Sequence, residues 1–404
     1  MRKIKTIHPS IARCIRQHRA SLLLSLMGGI LGWGFILAAC SSDTPEPKVE
    51  PAREGAPVEL TSYVTDYAEA APSTRAWTEP SGFTLLPELA EKSISVFFTQ
   101  NGESPEEEFF FRSSGKWRVS KTDLEADTYY LYGYTPHEAS VNASISSSAT
   151  PADNSSYNSG AVLTLENLPA ITPNDFCVIV GAKDGINADD DNGLTLGQFA
   201  YAAQPTEAVG ETPKGNNYVY LLFDHLYAAL RIRMKVHGEY DHLRTIKLKE
   251  LRLATKAGSV ATTKKATATI TLAKTTDDTN PISSVVFTPT GTEKADGTVF
   301  QDDEGMTLTT TPSTYMGHFM PQGVTTLVLT CVYDVYDKNE TGGIGNLVRQ
   351  DCKATNTIIL SELATGQTDA RRGYRYTINL TIRPTYLYVL SEPDLNNPTV
   401  EVDI

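Results

Sequence analysis

The chain has 404 residues, 40% of them hydrophobic, with 48 acidic against 35 basic residues and a formal net charge of −13. That length buries substantial cores without covalent staples, and the acidic balance repels phosphate backbones, which excludes nucleic acid as a partner. Five cysteines, with no Cys-x-x-Cys and no Cys/His spacing that suggests zinc, exclude a disulfide framework and a sequence-encoded zinc site.

Residues 1–39 read as a targeting segment. Arg2, Lys3, Lys5, Arg13, Arg16 and Arg19 form a basic flank without a single acid, and an apolar run follows from Ser21 to Ala39. The run ends in Leu37-Ala38-Ala39-Cys40 and turns polar at Ser41-Ser42-Asp43. A basic flank, an apolar segment and small residues before a cut site describe a secretory signal. A cysteine directly after the small residues resembles the bacterial lipoprotein signal, in which Cys40 is acylated and becomes the mature N-terminus. The competing reading is a permanent span, since the run approaches the ~20 apolar residues a bilayer needs. Gly28, Gly29, Gly32 and Gly34 weigh against it. Six of the 35 basic residues and none of the acids lie in this segment, so the remainder carries 29 basic against 48 acidic residues. Residues 40–57 form a tether, with Pro45, Pro47, Pro51 and Pro57 among charges and therefore extended and solvated.

Beyond the tether the expectation is strand after strand. Val58 to Val64 mostly alternates apolar and polar residues, and Ser93 to Thr99 is β-branched and aromatic before Asn101-Gly102, a hairpin-turn signal. Lys116 to Val119, Thr128 to Tyr134 and Phe176 to Val180 follow at strand length, and a Pro/Gly/Asn-rich stretch from Glu211 to Asn217 marks a candidate boundary. Tyr218 to His225 is nearly all apolar, whereas from Leu230 to Val236 apolar and basic residues alternate, as in a half-buried strand. Further strands are expected at 245–254, 267–272, 285–288, 326–336, 354–360, 374–382 and 386–390, and Ala139 to Gly160 and Asp277 to Gly297 are expected to be surface loops. The last residues, from Pro398 to Ile404, alternate apolar and polar to the terminus. Short strands with turns between them predict an all-β fold of sandwich or barrel type. The expected division is one domain over 58–216 and a second over 217–404.

Candidates for chemistry are few. His225 beside Asp224 has the elements of an acid-oriented base, but a lone histidine at an apolar strand is more often structural. The run Asp184 to Gly193, with Asp189 and Asp191, offers oxygens for calcium, yet its spacing departs from an EF-hand and a solvated acidic loop explains it as well. Cys331 and Cys352 admit two readings, a disulfide in an oxidising compartment or two free thiols in strands. No nucleophile elbow, phosphate loop or metalloprotease spacing occurs, so neither an enzyme nor a cofactor is expected.

Several features in order resemble the fimbrillins, the lipoprotein pilins of type V pili. They are the Cys40 signal with its tether, the strand from Val58 and the loop Ser73-Thr74-Arg75-Ala76-Trp77. The stretch from Phe223 to Ile232 and the basic turn and strand from Arg371 to Ile382, followed by two closing strands, complete the set. The resemblance implies two β-sandwich domains of transthyretin-like type and a precursor carried to the outer membrane by lipid on Cys40. It implies that an arginine-specific protease cuts between Arg75 and Ala76, with Arg53 as a rival site ahead of the first strand. The first strand, about Val58 to Tyr67, then leaves a groove. A C-terminal donor strand carrying Thr399, Val400, Val402 and Ile404 fills it from another pilin subunit of the same or a different kind. The implied role is a structural subunit of cell-surface fimbriae that supports adhesion or biofilm formation. The rival reading is a lipid-anchored glycan-binding protein, with Trp77, Trp117, Tyr129, Tyr130, Tyr132 and Tyr134 as its aromatic platform.

Overall fold

The computed structural model describes residues 56–69, 83–85, 93–100, 105–122, 124–147, 156–185, 193–203, 208–209, 212–213, 218–276, 279–363, 367–382 and 399–401. Residues 1–39, Cys40, Arg53, Arg75, Ala76, Trp77, Val402 and Ile404 lie outside them, as do the Asn101-Gly102 turn, most of the Asp184–Gly193 loop and residues 386–390. Among the described residues no helix is long and apolar enough to cross a membrane.

The fold is all-β. The first segment contributes β1 (Ala56–Pro57), β2 (Glu59–Thr65) and β3 (Ala68–Glu69), and β4 (Phe83–Leu85) and β5 (Ile94–Thr99) follow. Then come β6 (Glu107–Ser113) and β7 (Lys116–Val119), joined through Ser114 and Gly115, both at positive φ (53° and 77°). Two successive left-handed residues make the twisted two-residue turn that antiparallel strands prefer, and glycine meets that demand without steric cost. Next are β8 (Thr128–Thr135), β9 (Asn142–Ser147), β10 (Gly160–Pro169), β11 (Ile171–Thr172), β12 (Cys177–Gly185), β13 (Ala200–Ala202), β14 (Ala208–Val209) and β15 (Thr212–Pro213). The second half holds β16 (Tyr218–His225), β17 (Ala228–Val236), the helical turn α1 (Gly238–Asp241), β18 (Arg244–Ala257), β19 (Val260–Ala261), β20 (Thr263–Ala273), β21 (Ile282–Lys294) and β22 (Asp296–Thr307). It closes with β23 (Ser313–Phe319), β24 (Thr326–Lys338), β25 (Ile344–Ile359), α2 (Leu360–Leu363), β26 (Tyr374–Ile382) and β27 (Thr399–Glu401).

The main sheet runs β1-β7-β6-β5-β8-β12-β16-β2-β4, with β13 beside β8. A second runs β21-β20-β10-β9, a third β11-β23-β17-β26-β27 with β3 also on β26, and a fourth β19-β18-β24-β25 with β22 on β18. Pairing crosses residue 216 repeatedly, since β12 and β2 pair with β16, β10 with β20, β11 with β23 and β3 with β26. Central strands β5, β12 and β16 are buried on both faces over most of their length, which is why they read as apolar runs, whereas β17, β18, β20 and β24 alternate buried and half-buried residues.

Two expected loops carry strand. β9 lies inside 139–160 and β21 inside 277–297. Both are edge strands of the second sheet with mostly polar, exposed side chains, so no apolar alternation announces them. Backbone pairing to the long strands β10 and β20 holds them in place. For the same reason β25 begins at Ile344, ten residues before the expected 354.

Candidate functional site

The first segment threads between two sheets. Strand β2 lies parallel to β16 in the register Glu59 to Tyr218 through Val64 to Phe223, and its other side meets β4 at Tyr63, Val64 and Thr65. Three residues further on, β3 joins the third sheet, parallel to β26, with Ala68 opposite Tyr374 and Glu69 opposite Arg375. The Ala68 amide donates to the Gly373 carbonyl at 2.9 Å. Val58, Ser62 and Thr65 are buried, so the segment is an integral wall of the core and also the link between sheets.

Where β2 ends, a buried polar cluster grips it. Asp224, near the end of β16, accepts from Thr65 Oγ1 at 2.7 Å, Asn280 Nδ2 at 2.6 Å, Arg372 Nη1 at 2.6 Å and the His225 amide at 2.9 Å. Arg372 Nη1 also donates to the His225 carbonyl at 2.8 Å. His225 Nε2 lies 2.7 Å from the Thr65 carbonyl and donates to it, while Nδ1 lies 2.9 Å from Asp175 Oδ2 and 3.5 Å from Cys177 Sγ. The Tyr67 ring stacks on the His225 imidazole at 3.6 Å. Outside the cluster Arg375 pairs with Glu69, and Arg231 lies 3.7 Å from the same carboxylate.

Burial opposes every charge here, and the partners reverse it. Burial would raise the Asp224 carboxyl, but the Arg372 guanidinium, with Thr65 and Asn280, holds it below the usual range. Burial would lower His225, and Asp175 turns the net shift upward. Burial would likewise raise Asp175, which His225 and His318 together pull down. Burial pushes the Cys177 thiol and the Tyr67 phenol well up, with the Asp175 charge adding to both. The cluster is thus a set of charges and hydrogen bonds that hold a strand. Asp224 and His225 are both buried and Asp224 accepts from four donors, so the pair ties the end of β2 to the sheet.

The C-terminal strand lies on the same edge. One side of β26 is occupied by β17. The other receives β3 at Tyr374 and Arg375, then β27 at Asn379, Leu380 and Thr381, where Glu401, Val400 and Thr399 pair antiparallel. The two ends of the described chain therefore follow one another along one strand edge.

Other sequence candidates fall elsewhere. Tyr129, Tyr132 and Tyr134 are buried, Tyr130 is half-buried, and Trp117 is half-buried with the Arg112 guanidinium 5.5 Å from its ring. Cys177, Cys331 and Cys352 are free thiols, and burial pushes Cys331 up to about 12. On β24 and β25, Cys331 faces Ala354 and Cys352 faces Tyr333. Sequence reasoning singled out Asp224, His225 and the Arg371-Arg372 turn but missed Thr65, Tyr67, Asp175 and Asn280 as their partners. Thr65 is 159 residues from Asp224 and Arg372 is 148, and no local pattern encodes such a meeting.

No family model matches the chain, and no curated protein does. Solved structures do. A candidate cell adhesion protein from Bacteroides fragilis is 9% identical, with 86% of this chain and 97% of that one covered at a TM-score of 0.38. A fimbrial protein from Bacteroides vulgatus is 14% identical, covers 85% and 99%, and scores 0.31. The fimbrial anchor protein of Porphyromonas gingivalis is 10% identical, covers 84% and 95%, and scores 0.23. The structural neighbours are thus fimbrial and candidate adhesion proteins.

Proposed function

We propose that this chain is a structural subunit of cell-surface fimbriae, assembled by replacement of its first strand, and not an enzyme. The observation that carries the reading is the placement of the first segment. Residues 56–69 line open edges of β7, β16 and β26, and the connection from β2 to β4 runs through 70–82, where Arg75 lies. A cut after Arg75 severs the strand from the rest of the chain without touching any of its partners. Its departure strips a row of backbone groups on β16, each costing about 1–3 kcal/mol if left buried and unpaired, and uncovers apolar neighbours. An incoming strand restores both, as strand addition to an open edge does elsewhere. The C-terminal strand with Thr399, Val400, Val402 and Ile404 is the natural donor, because among the described residues it pairs at an edge, through Thr399, Val400 and Glu401.

The rest of the assignment follows the resemblance. Lipid on Cys40 holds the precursor at the outer membrane, an arginine-specific protease cuts at Arg75, and other pilin subunits supply the strand. The division into two transthyretin-like sandwiches belongs to the same proposal. Deleting residues 399–404 tests it: the protein is expected to fold and to be cut, yet to form no denaturant-resistant ladder of polymers. Unchanged ladders would refute strand donation by the terminus. Of the aromatic side chains put forward for a glycan platform, Tyr129, Tyr132 and Tyr134 are buried, which favours the pilin reading over the rival.

A further inference from the structure

The sequence shows no metal spacing, yet the fold assembles one beneath the first strand. We propose that Asp175, Cys177 and His225 bind a zinc-class divalent ion. Asp175 lies two residues ahead of Cys177, the first residue of β12, and its carboxylate converges on the same buried point as the thiol. His225 stands directly opposite Cys177 in the β12–β16 ladder. This register brings one carboxylate oxygen, one sulfur and one imidazole nitrogen within 4.8 Å of one another. Ligands at zinc bond lengths of about 2.0–2.3 Å in tetrahedral array lie roughly 3.3–3.6 Å apart. The Nδ1 to Sγ separation of 3.5 Å matches that, and the 2.9 Å from Nδ1 to Asp175 Oδ2 needs a small opening.

Three further features point the same way. A ligating histidine characteristically donates its other ring N–H to a carbonyl or carboxylate, which fixes its tautomer and orientation. His225 Nε2 does so to the Thr65 carbonyl at 2.7 Å. His318, whose Nε2 lies 3.9 Å from Asp175 Oδ2, places its Nδ1 3.1 Å from the Pro173 carbonyl. Asp175 Oδ1 is enclosed without a partner at full hydrogen-bond geometry, and the Tyr67 hydroxyl stands beside the same carboxylate. The carboxylate oxygen is then available to complete the coordination. Asp224, by contrast, is fully engaged by Arg372, Asn280 and Thr65 and stays outside the set.

Charge balances in the exchange. Both imidazole nitrogens face acceptors, Nε2 the Thr65 carbonyl and Nδ1 Asp175 Oδ2, so the metal-free group is a carboxylate, an imidazolium and a thiol. A divalent ion displaces one proton from Nδ1 and one from Sγ, so the buried cluster keeps its net charge. Thiolate and imidazole favour zinc over the oxygen-seeking calcium and magnesium. The Asp175 side chain, 29% exposed, leaves a way in for the ion. Bound metal fixes the His225 ring and, through it, the Thr65 carbonyl of the first strand.

The proposal needs nothing of the strand-exchange reading, because it is tested on the uncut chain. The full chain, purified without a metal-affinity tag, is equilibrated with Zn²⁺, desalted and assayed for bound metal. Stoichiometric zinc is expected in the unmodified protein and its loss in Cys177→Ser. With Co²⁺ in place of zinc, a thiolate-to-cobalt charge-transfer band is expected in the near ultraviolet. That band requires only the unmodified chain, so the test survives a variant that fails to fold. Absence of retained zinc, a cobalt complex without the thiolate band, or zinc retention unchanged in a folded Cys177→Ser would each overturn the proposal.

Discussion

The first strand and the long strand β25 are held by different means. Strand β25 is the outer member of its sheet and pairs antiparallel with β24 from Thr326 and Ile359 to Lys338 and Ile344. The turn between them is tied locally, with the Asn339 amide donating to the Gly343 carbonyl at 2.9 Å and Asn339 Oδ1 accepting from Thr341 and Gly343. Ile344, Leu347 and Ile359 stay exposed while Ala354 and Ile358 are buried, so the half of the strand nearest the turn depends on its ladder. Strand β2 instead lies parallel to a strand some 159 residues away and is gripped by Asp224, His225 and Arg372 at its end. A hairpin strand cannot leave without dismantling its own ladder. A strand held by remote and directional contacts is, in the proposed assembly, the piece that leaves once its following connection is cut.

Substitutions at the two strands break or sharpen that contrast. The largest effect is expected at Asp224→Ala, which leaves the Arg372 charge and the Thr65 and Asn280 groups without their acceptor. Loss of one member of a buried pair costs about 3–5 kcal/mol, read as a lower midpoint in urea denaturation. A change below 1 kcal/mol, in the sense of an ordinary surface site, would mean that the cluster does not hold the strand. Thr65→Val keeps the shape and removes one hydrogen bond to a charge, so a loss of about 1.5–3 kcal/mol is expected by the same measurement. In native-state hydrogen exchange that loss should concentrate in β2 and β16, and a uniform loss across the molecule would argue against a separable strand. Arg375→Ala removes the half-exposed pair with Glu69 and the contact with the Tyr67 ring, for about 0.2–1 kcal/mol. Its effect should shrink in high salt. Leu347→Lys on β25 should stay within about 0.5 kcal/mol, since nothing buried is lost; a larger loss would show that β25 leans on its side chains after all.

The parts legible in the sequence are those where burial writes a pattern. Strand β17 shows its Leu230, Ile232, Met234 alternation, and the apolar run of β16 reflects cover on both faces. Strands β9 and β21 and the first half of β25 carry mostly exposed or half-buried side chains without a regular apolar alternation, and backbone pairing to a longer neighbour holds them. The candidate site was half legible. Asp224 and His225 stood out as polar residues at an apolar strand, and Arg372 as part of a basic turn. Their meeting with Thr65, Asp175 and Asn280 depends on strand register across three segments, and the Cys177 to His225 opposition depends on the β12–β16 pairing. A scan for short spacings finds neither.

The most direct test of strand release is amide hydrogen exchange on the purified chain before and after a single cut at Arg75. The freed N-terminal piece is expected to separate, and Tyr218 to Phe223 to lose protection while the β24–β25 ladder keeps it. Protection in β16 that survives removal of the cut piece, or a cut chain that unfolds throughout, would contradict an exchangeable first strand.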